Sequence, residues 1–173
     1  QKMADIIIKN GEIIDGTGKP GYKADIALEK DKIASIGKIE AKDADSVLDA
    51  SGLVVAPGFV DIHSHSDYYL LIDPRAESKI LQGVTTEVGG NCGYAAAPIF
   101  GDLLKERRRT YLKQFDIHLN WTNLSGYYEK LEEKGTAVNF APLLGQNTIR
   151  ASVMGYEDRV PEPNEIKKME LIV

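Results

Sequence analysis

Pro57-Gly58-Phe59-Val60-Asp61-Ile62-His63-Ser64-His65 is where the sequence changes rhythm. Residues 59–62 read as a short, apolar, buried strand, and two histidines follow directly at its end. Side chains two apart on an extended chain point to the same side, so both imidazoles can converge on one ion. Neutral imidazole is a good ligand for zinc and related metals, and parallel α/β folds build their sites at such strand ends. The alternative is a pair of packed or surface histidines. The setting, straight after an apolar strand rather than in a polar loop, favours ligation.

Upstream, residues 6–55 read as short strands joined by turns, with β-branched clusters at Ile6-Ile7-Ile8, Glu12-Ile13-Ile14, Asp25-Ile26-Ala27-Leu28 and Lys32-Ile33-Ala34-Ser35-Ile36. Asn10-Gly11 has the composition of a hairpin turn, since both residues tolerate positive φ. Lys30-Asp31 and Asp49-Ala50-Ser51-Gly52 supply further turns. Residues 1–56 are therefore expected to form a small, mainly antiparallel β module.

Downstream, strand and helix alternate. Asp73 is placed to cap a helix that begins at Pro74 and ends before Gly83. Residues 84–88 form the next strand, which enters the glycine-rich loop Gly89-Gly90-Asn91-Cys92-Gly93. Helices are expected over 102–113 and from a Thr122 cap to Lys134, with Gly135 as the stop, and a third strand over 137–141. Such alternation implies an α/β fold with a parallel sheet, either open and doubly wound or closed as a barrel. A full (β/α)8 barrel needs about 250 residues, so the stretch 57–173 would hold only its first units. The helical pattern that starts near Pro163 runs to Val173 without a stop, and Gln1-Lys2 precede Met3, so the sequence reads as truncated.

Cys92 is the single cysteine, which excludes an internal disulfide and leaves a thiol to be explained. If strands 59–62 and 84–88 run parallel, Cys92 and the histidine pair share one end of the sheet. A thiolate there can bind one ion or bridge two. A small buried hydrophobe and a catalytic nucleophile are the other readings. Gly89, Gly90 and Gly93 around it suggest a backbone that must approach something bound. Nucleophilic chemistry would need a histidine base, and the nearby histidines already read as chelators. Asp61 and Asn91 are candidates for orienting these ligands. His118, in Asp116-Ile117-His118-Leu119, has no ligand-like neighbour and reads as structural.

Other motifs fail. Gly16-Thr17-Gly18-Lys19-Pro20-Gly21 matches a dinucleotide fingerprint, but a strand follows it where that motif must open a helix. Lys105-Glu106-Arg107-Arg108-Arg109 lies on an expected helix and reads as a solvated charged face. The net charge of -5, without a large basic block, argues against nucleic acid and anionic membrane surfaces. No apolar run is long enough to cross a bilayer, and no signal-peptide core is visible. With a lone thiol, this gives an expectation of a cytoplasmic protein with a small-molecule partner.

Ala56-Pro57-Gly58-Phe59-Val60-Asp61-Ile62-His63-Ser64-His65 resembles the first-strand signature of the amidohydrolase superfamily. Gln82-Gly83-Val84-Thr85-Thr86, Gly90-Asn91-Cys92-Gly93 with Ala96-Ala97-Pro98, Gly145-Gln146-Asn147-Thr148-Ile149-Arg150 and Val153-Met154-Gly155 are similar to its N-acyl-D-amino-acid deacylase branch. The resemblance implies a distorted (β/α)8 barrel beside a small β-sandwich formed from both chain ends. It implies His63, His65 and Cys92 as ligands to one or two zinc ions, the cysteine standing where hydantoinases and dihydroorotases carry a carboxylated lysine. Two more histidine ligands and an aspartate general base are implied beyond Val173, so no catalytic residue falls in this sequence. The implied reaction is hydrolysis of N-acyl-D-amino acids to a carboxylate and a D-amino acid. A cyclic-amide hydrolase and a non-catalytic metal-binding fragment are the rival readings. By itself the 173-residue piece is expected to hold metal weakly, to be inactive, and to self-associate through uncovered edges. One departure is Gln146, where the branch often has histidine after the glycine, and it bears on substrate contacts.

Overall fold

The structure is a computed structural model that describes residues 4–40, 42 and 44–173. Gln1, Lys2 and Met3, read as a trimmed start, lie outside the described residues. The chain divides into two compact units, Gln1–Pro57 and Gly58–Val173. Among the described residues no helix is long and apolar enough to cross a membrane.

The first unit is one five-stranded sheet: β1 (Ala4–Ile13), β2 (Tyr22–Glu29), β3 (Lys32–Gly37), β4 (Ala44–Asp49) and β5 (Val54–Val55). Its order is β3-β2-β1-β4, with β5 also pairing β1. The expected antiparallel pairing holds for β1 with β2 and β2 with β3, but β4 and β5 join β1 in parallel, so the sheet is mixed. Ala4, Ile7, Ala27 and Ile39 make its small core.

Asn10-Gly11 is not a hairpin turn. β1 runs straight through it, with Asn10 at φ 64° and a register shift against β2 between Ile8 and Gly11. A bulge uses the same positive φ as a tight turn, and here partners decide between them. The Asn10 N–H donates to Asp25 Oδ1, and its side-chain amide donates to Asp49 Oδ1, which ties β1 to both neighbours. The real hairpin is at Lys30, φ 53°, between β2 and β3. The segment 16–21 leads into β2 and opens no helix.

The second unit carries a three-stranded parallel sheet, order β6-β7-β8, formed by Phe59–Asp61, Val84–Gly89 and Asn139–Pro142. Between β6 and β7 stand two single-turn helices, α1 (Tyr69–Ile72) and α2 (Glu77–Ile80). Asp73 does not cap a helix start: it closes α1, and its carboxylate accepts the Arg75 N–H in the link to α2. After β7 come a 3-10 turn at Asn91–Gly93, α3 (Gly101–Phe115) and α4 (Leu124–Lys134). Asn123, not Thr122, caps α4, because its side chain reaches the Gly126 N–H. Beyond β8 lie α5 (Gln146–Met154) and α6 (Pro163–Glu170), the latter opened by a Glu162/Glu165 capping box. The core gathers Leu70, Leu71, Ile99, Leu103, Trp121 and Tyr127. Two buried polar groups are aimed: Trp121 Nε1 donates to Ala96 O at 2.9 Å and the Tyr127 hydroxyl donates to Asp67 O.

A candidate metal centre at the ends of two parallel strands

β6 and β7 run parallel with Asp61 opposite Glu87, so the chain leaves both strands on the same side of the sheet. His63 and His65 follow the first strand and Cys92 the second. One donor atom from each of the three lies within 4.8 Å of the others, and the Cys92 sulfur is 3.4 Å from His63 Nε2. The rings of His63 and His65 meet edge-on at 5.5 Å. All three side chains are exposed. Two ligands of one tetrahedral zinc, at ordinary Zn–N and Zn–S lengths, stand about 3.5 Å apart, so the donor set and its spacing fit that ion. Cys92 itself sits at φ 53°, a conformation that costs a non-glycine residue of order 1 kcal/mol or more and is kept where the surroundings impose it.

Those surroundings are visible. The Asn91 side-chain amide donates to Val88 O at 2.8 Å and to Ser64 O at 3.3 Å, which clamps the cysteine turn onto the histidine loop. The Ser64 N–H donates to Val88 O. Asn147, at the start of α5, donates to Cys92 O. The neighbouring glycines let the backbone pack closely around this clamp. A Cβ on Gly90 would stand 2.0 Å from Leu143 O, and one on Gly145 would stand 2.5 Å from Gly93 O. The approach inferred from the glycines is thus that of the β8–α5 segment. Gln146 is exposed on the first turn of α5.

Asp61 contacts the backbone of His63, not its ring: Oδ1 accepts the His63 N–H at 3.1 Å. Oδ2 takes Lys79 Nζ at 2.6 Å, and the same ammonium lies 3.1 Å from Glu87 Oε1. Asp61 and Glu87 face each other on adjacent strands, and Lys79, reaching over from α2, bridges the two acidic side chains. The Lys79 hydrogen bond, then the His63 N–H, hold the Asp61 carboxyl below its usual range, while Asp61 raises Lys79. Glu87 is fully buried; Ser66, next to His65, donates to its Oε1 at 2.7 Å, and Oε2 has no partner among the described residues. Asp67 is buried too. Desolvation pushes its carboxyl up, against the Gly90 N–H that it accepts.

Lys79, Glu87 and Ser66 were not singled out in the sequence. A lone acid in the middle of the apolar parallel strand 84–88 was the available signal. Arg107 was set aside with its charged run, yet it is half-buried, with its guanidinium 5.4 Å from the Tyr68 ring centre. Leu103 and Tyr111, four residues to either side, place it on the inward face of α3. His118 is exposed and outside the cluster.

A parallel α/β unit with two histidines and a cysteine at adjoining strand ends is the architecture of a metal-dependent hydrolase, and the chain belongs to the amidohydrolase family, whose model matches residues 46–162. Within it, the D-aminoacylase of Alcaligenes xylosoxydans xylosoxydans is 39% identical over 172 residues, covering 95% of this chain and 34% of the relative. The crystal structure of N-acyl-D-glutamate deacylase from Bordetella bronchiseptica, complexed with zinc and a phosphonate inhibitor, superposes with a TM-score of 0.86 at 34% identity, over 99% of this chain and 35% of that one. A D-aminoacylase crystal structure gives 0.83 at 38% identity, over 98% and 35%. The chain thus spans about a third of the length of the relatives that it matches.

Proposed function

We propose that this chain supplies the first three ligands of the metal centre in a (β/α)8-barrel hydrolase that cleaves N-acyl-D-amino acids. The observation that carries the reading is the convergence of His63, His65 and Cys92 at the ends of adjacent parallel strands. The D-aminoacylase and N-acyl-D-glutamate deacylase names of its relatives, and the zinc in one of their structures, supply the reaction and the ion.

In this reading His63 and His65 ligate as neutral imidazoles and Cys92 as thiolate. Zinc held there supplies Lewis-acid polarisation of the amide carbonyl and acidifies water. The chain's own residues hold that geometry: Asp61 fixes the His63 backbone, Asn91 locks the two ligand loops together, and Lys79 bridges the side chains of Asp61 and Glu87. Net, water adds across the C–N bond to release a carboxylate and a D-amino acid, with the proton relay assigned to an aspartate elsewhere in the protein.

The test is made on the full-length protein. Zinc-dependent release of D-amino acids from N-acetyl-D-amino acids is expected, with L-enantiomers and cyclic amides as controls. Cys92→Ala is expected to weaken zinc binding by more than the roughly 10–100-fold that loss of an outer partner costs. Turnover confined to cyclic amides would overturn the assignment. The 173-residue chain alone, with three of the ligands, is expected to retain zinc poorly and to show no turnover.

A further inference from the structure

The turn that carries Cys92 has a backbone shape that only glycine adopts freely. Gly90, Cys92 and Gly93 lie in the left-handed region, at φ 72°, 53° and 81°. Cysteine takes that conformation at a cost, so the turn is held by what surrounds it. The cysteine side chain does not hold it. It is exposed, and its sulfur has one partner among the described residues, His63 Nε2. Where the sulfur stands is therefore decided by the backbone.

On one side Asn91 clamps the turn to the histidine loop. The other side is the first turn of α5, 53 to 55 positions further along the chain. Thr148 is buried there, and its hydroxyl accepts the Ala95 N–H at 2.9 Å. Its own proton has two carbonyls within reach, Ala95 O at 3.3 Å and Gly93 O at 3.5 Å. Asn147, one residue earlier, donates to Cys92 O at 3.2 Å. Gly145 brings the helix this close, since a Cβ on it would meet Ala95 N at 2.7 Å. Ala95 is buried as well, so water cannot replace a lost partner at its N–H. The same helix makes a bond of the same kind away from the turn, where Ser152 Oγ accepts the Phe100 N–H at 3.2 Å.

We propose that Thr148, with Asn147, is a positioning residue for Cys92: by fixing the backbone of the cysteine turn, it sets where the sulfur stands against His63 and His65. This rests on the metal-centre reading above. Thr148 is not itself a ligand, because its buried hydroxyl is engaged with the backbone of Ala95 and Gly93. Removing that hydroxyl strands the Ala95 N–H and lets the turn relax from its left-handed shape, which moves the sulfur. The two histidines sit on the other loop and stay in place. The signature is then a change in metal–sulfur geometry and not a general loss of stability.

The experiment uses the full-length protein with cobalt(II) in place of zinc, because the near-ultraviolet charge-transfer band of cobalt reports its bond to a thiolate. Thr148→Val keeps the shape of the side chain and removes the hydroxyl. It is expected to shift or weaken that band and to lower cobalt affinity about 10-fold, as loss of an outer partner does. Thr148→Ser, which retains the hydroxyl, is expected to match the wild type in both. Ser152→Ala removes the comparable bond further along α5, and is expected to lower the denaturation midpoint while band and affinity stay as in the wild type. Asn147→Ala, at an exposed position, is read in place of Thr148→Val if that variant does not fold. Hydrogen exchange in the metal-depleted protein follows the turn without any ion: Thr148→Val is expected to speed exchange over residues 92–95 about 10-fold, and Ser152→Ala to leave it unchanged. If cobalt gives no thiolate band in the wild type but exchange responds in this way, the metal-centre reading fails and the hold of Thr148 on the cysteine turn stands. A band and affinity altered by Thr148→Val no more than by Ser152→Ala overturn the proposal, as does unaltered exchange where the wild type shows no band.

Discussion

Each unit of the molecule uses a lysine to bind a poorly exposed carboxylate, and the two arrangements differ in completeness. In the sheet unit, Lys9 Nζ lies 2.8 Å from Asp25 Oδ2, and the Asn10 and Ile39 N–H groups also donate to that carboxylate. Every oxygen is occupied. In the second unit, Lys79 is shared between Asp61 and Glu87, and Glu87 keeps one buried oxygen with no partner among the described residues. The first pin is what stability alone selects: a bulge at Asn10 and a loop at Ile39 fastened by one acid. The second leaves a buried group under-satisfied beside the loops of His63, His65 and Cys92, which is the kind of cost retained where positioning matters.

The comparison predicts that variants of the two pins separate by readout. Glu87→Ala is expected to have the largest effect. It removes a fully buried acid and leaves Ser66 and Lys79 without it, at about 3 kcal/mol, the low end of what breaking a buried pair costs. Because Ser66 adjoins His65, zinc affinity of the full-length protein is expected to fall with stability. Chemical denaturation and a zinc titration on the same preparation check both. Asp25→Ala comes next. Losing a carboxylate that accepts three donors is expected to cost about 2 kcal/mol of stability. Zinc affinity unaltered by Asp25→Ala, with a lower denaturation midpoint, is the contrast sought; a joint loss would mean that the two pins are not separable.

Lys79→Met sharpens the contrast from the other side. It leaves Asp61 facing Glu87 without a cation, and Asp61 holds the His63 N–H. About a 10-fold loss of zinc affinity is expected, as for an outer-shell partner, with stability lowered by about 1 kcal/mol, since Lys79 and Asp61 are partly exposed. A melting shift without any change in zinc affinity would assign Lys79 to stability alone.

The same contrast explains what could be read from the sequence. His63, His65 and Cys92 were legible because strand periodicity and chain direction are local properties, and they put the three side chains at one end of a parallel sheet. The alternation of strands and helices was legible for the same reason. Asn10-Gly11 was misread because positive φ is common to turns and bulges, and the choice rests on Asp25 and Asp49, fifteen and thirty-nine positions away. Lys79 and Glu87 were silent because a lysine on a one-turn helix looks like any surface lysine until its partners are placed. Arg107 was hidden by its neighbours: the run around it is charged, while its own helix face, shared with Leu103 and Tyr111, is not.

The smallest effect predicted is a pH dependence in the sheet unit. The Lys9 hydrogen bond, then the Ile39 and Asn10 N–H groups, hold the Asp25 carboxyl down at about 2, from an ordinary value of 3.8. A carboxylate whose folded pKa is depressed contributes stability that is complete above the unfolded value and is lost as pH falls toward the folded one. The contribution is therefore present at pH 5 and above, declines below about pH 4, and is gone once pH passes below about 2. Urea midpoints of the wild-type chain from pH 5 to pH 2 are expected to fall more steeply than those of Asp25→Asn. The amide keeps the shape of the side chain but cannot take up the proton. Parallel slopes in the two proteins would remove Asp25 as the source, and with it the claim that this pin works as a satisfied charge rather than as packing.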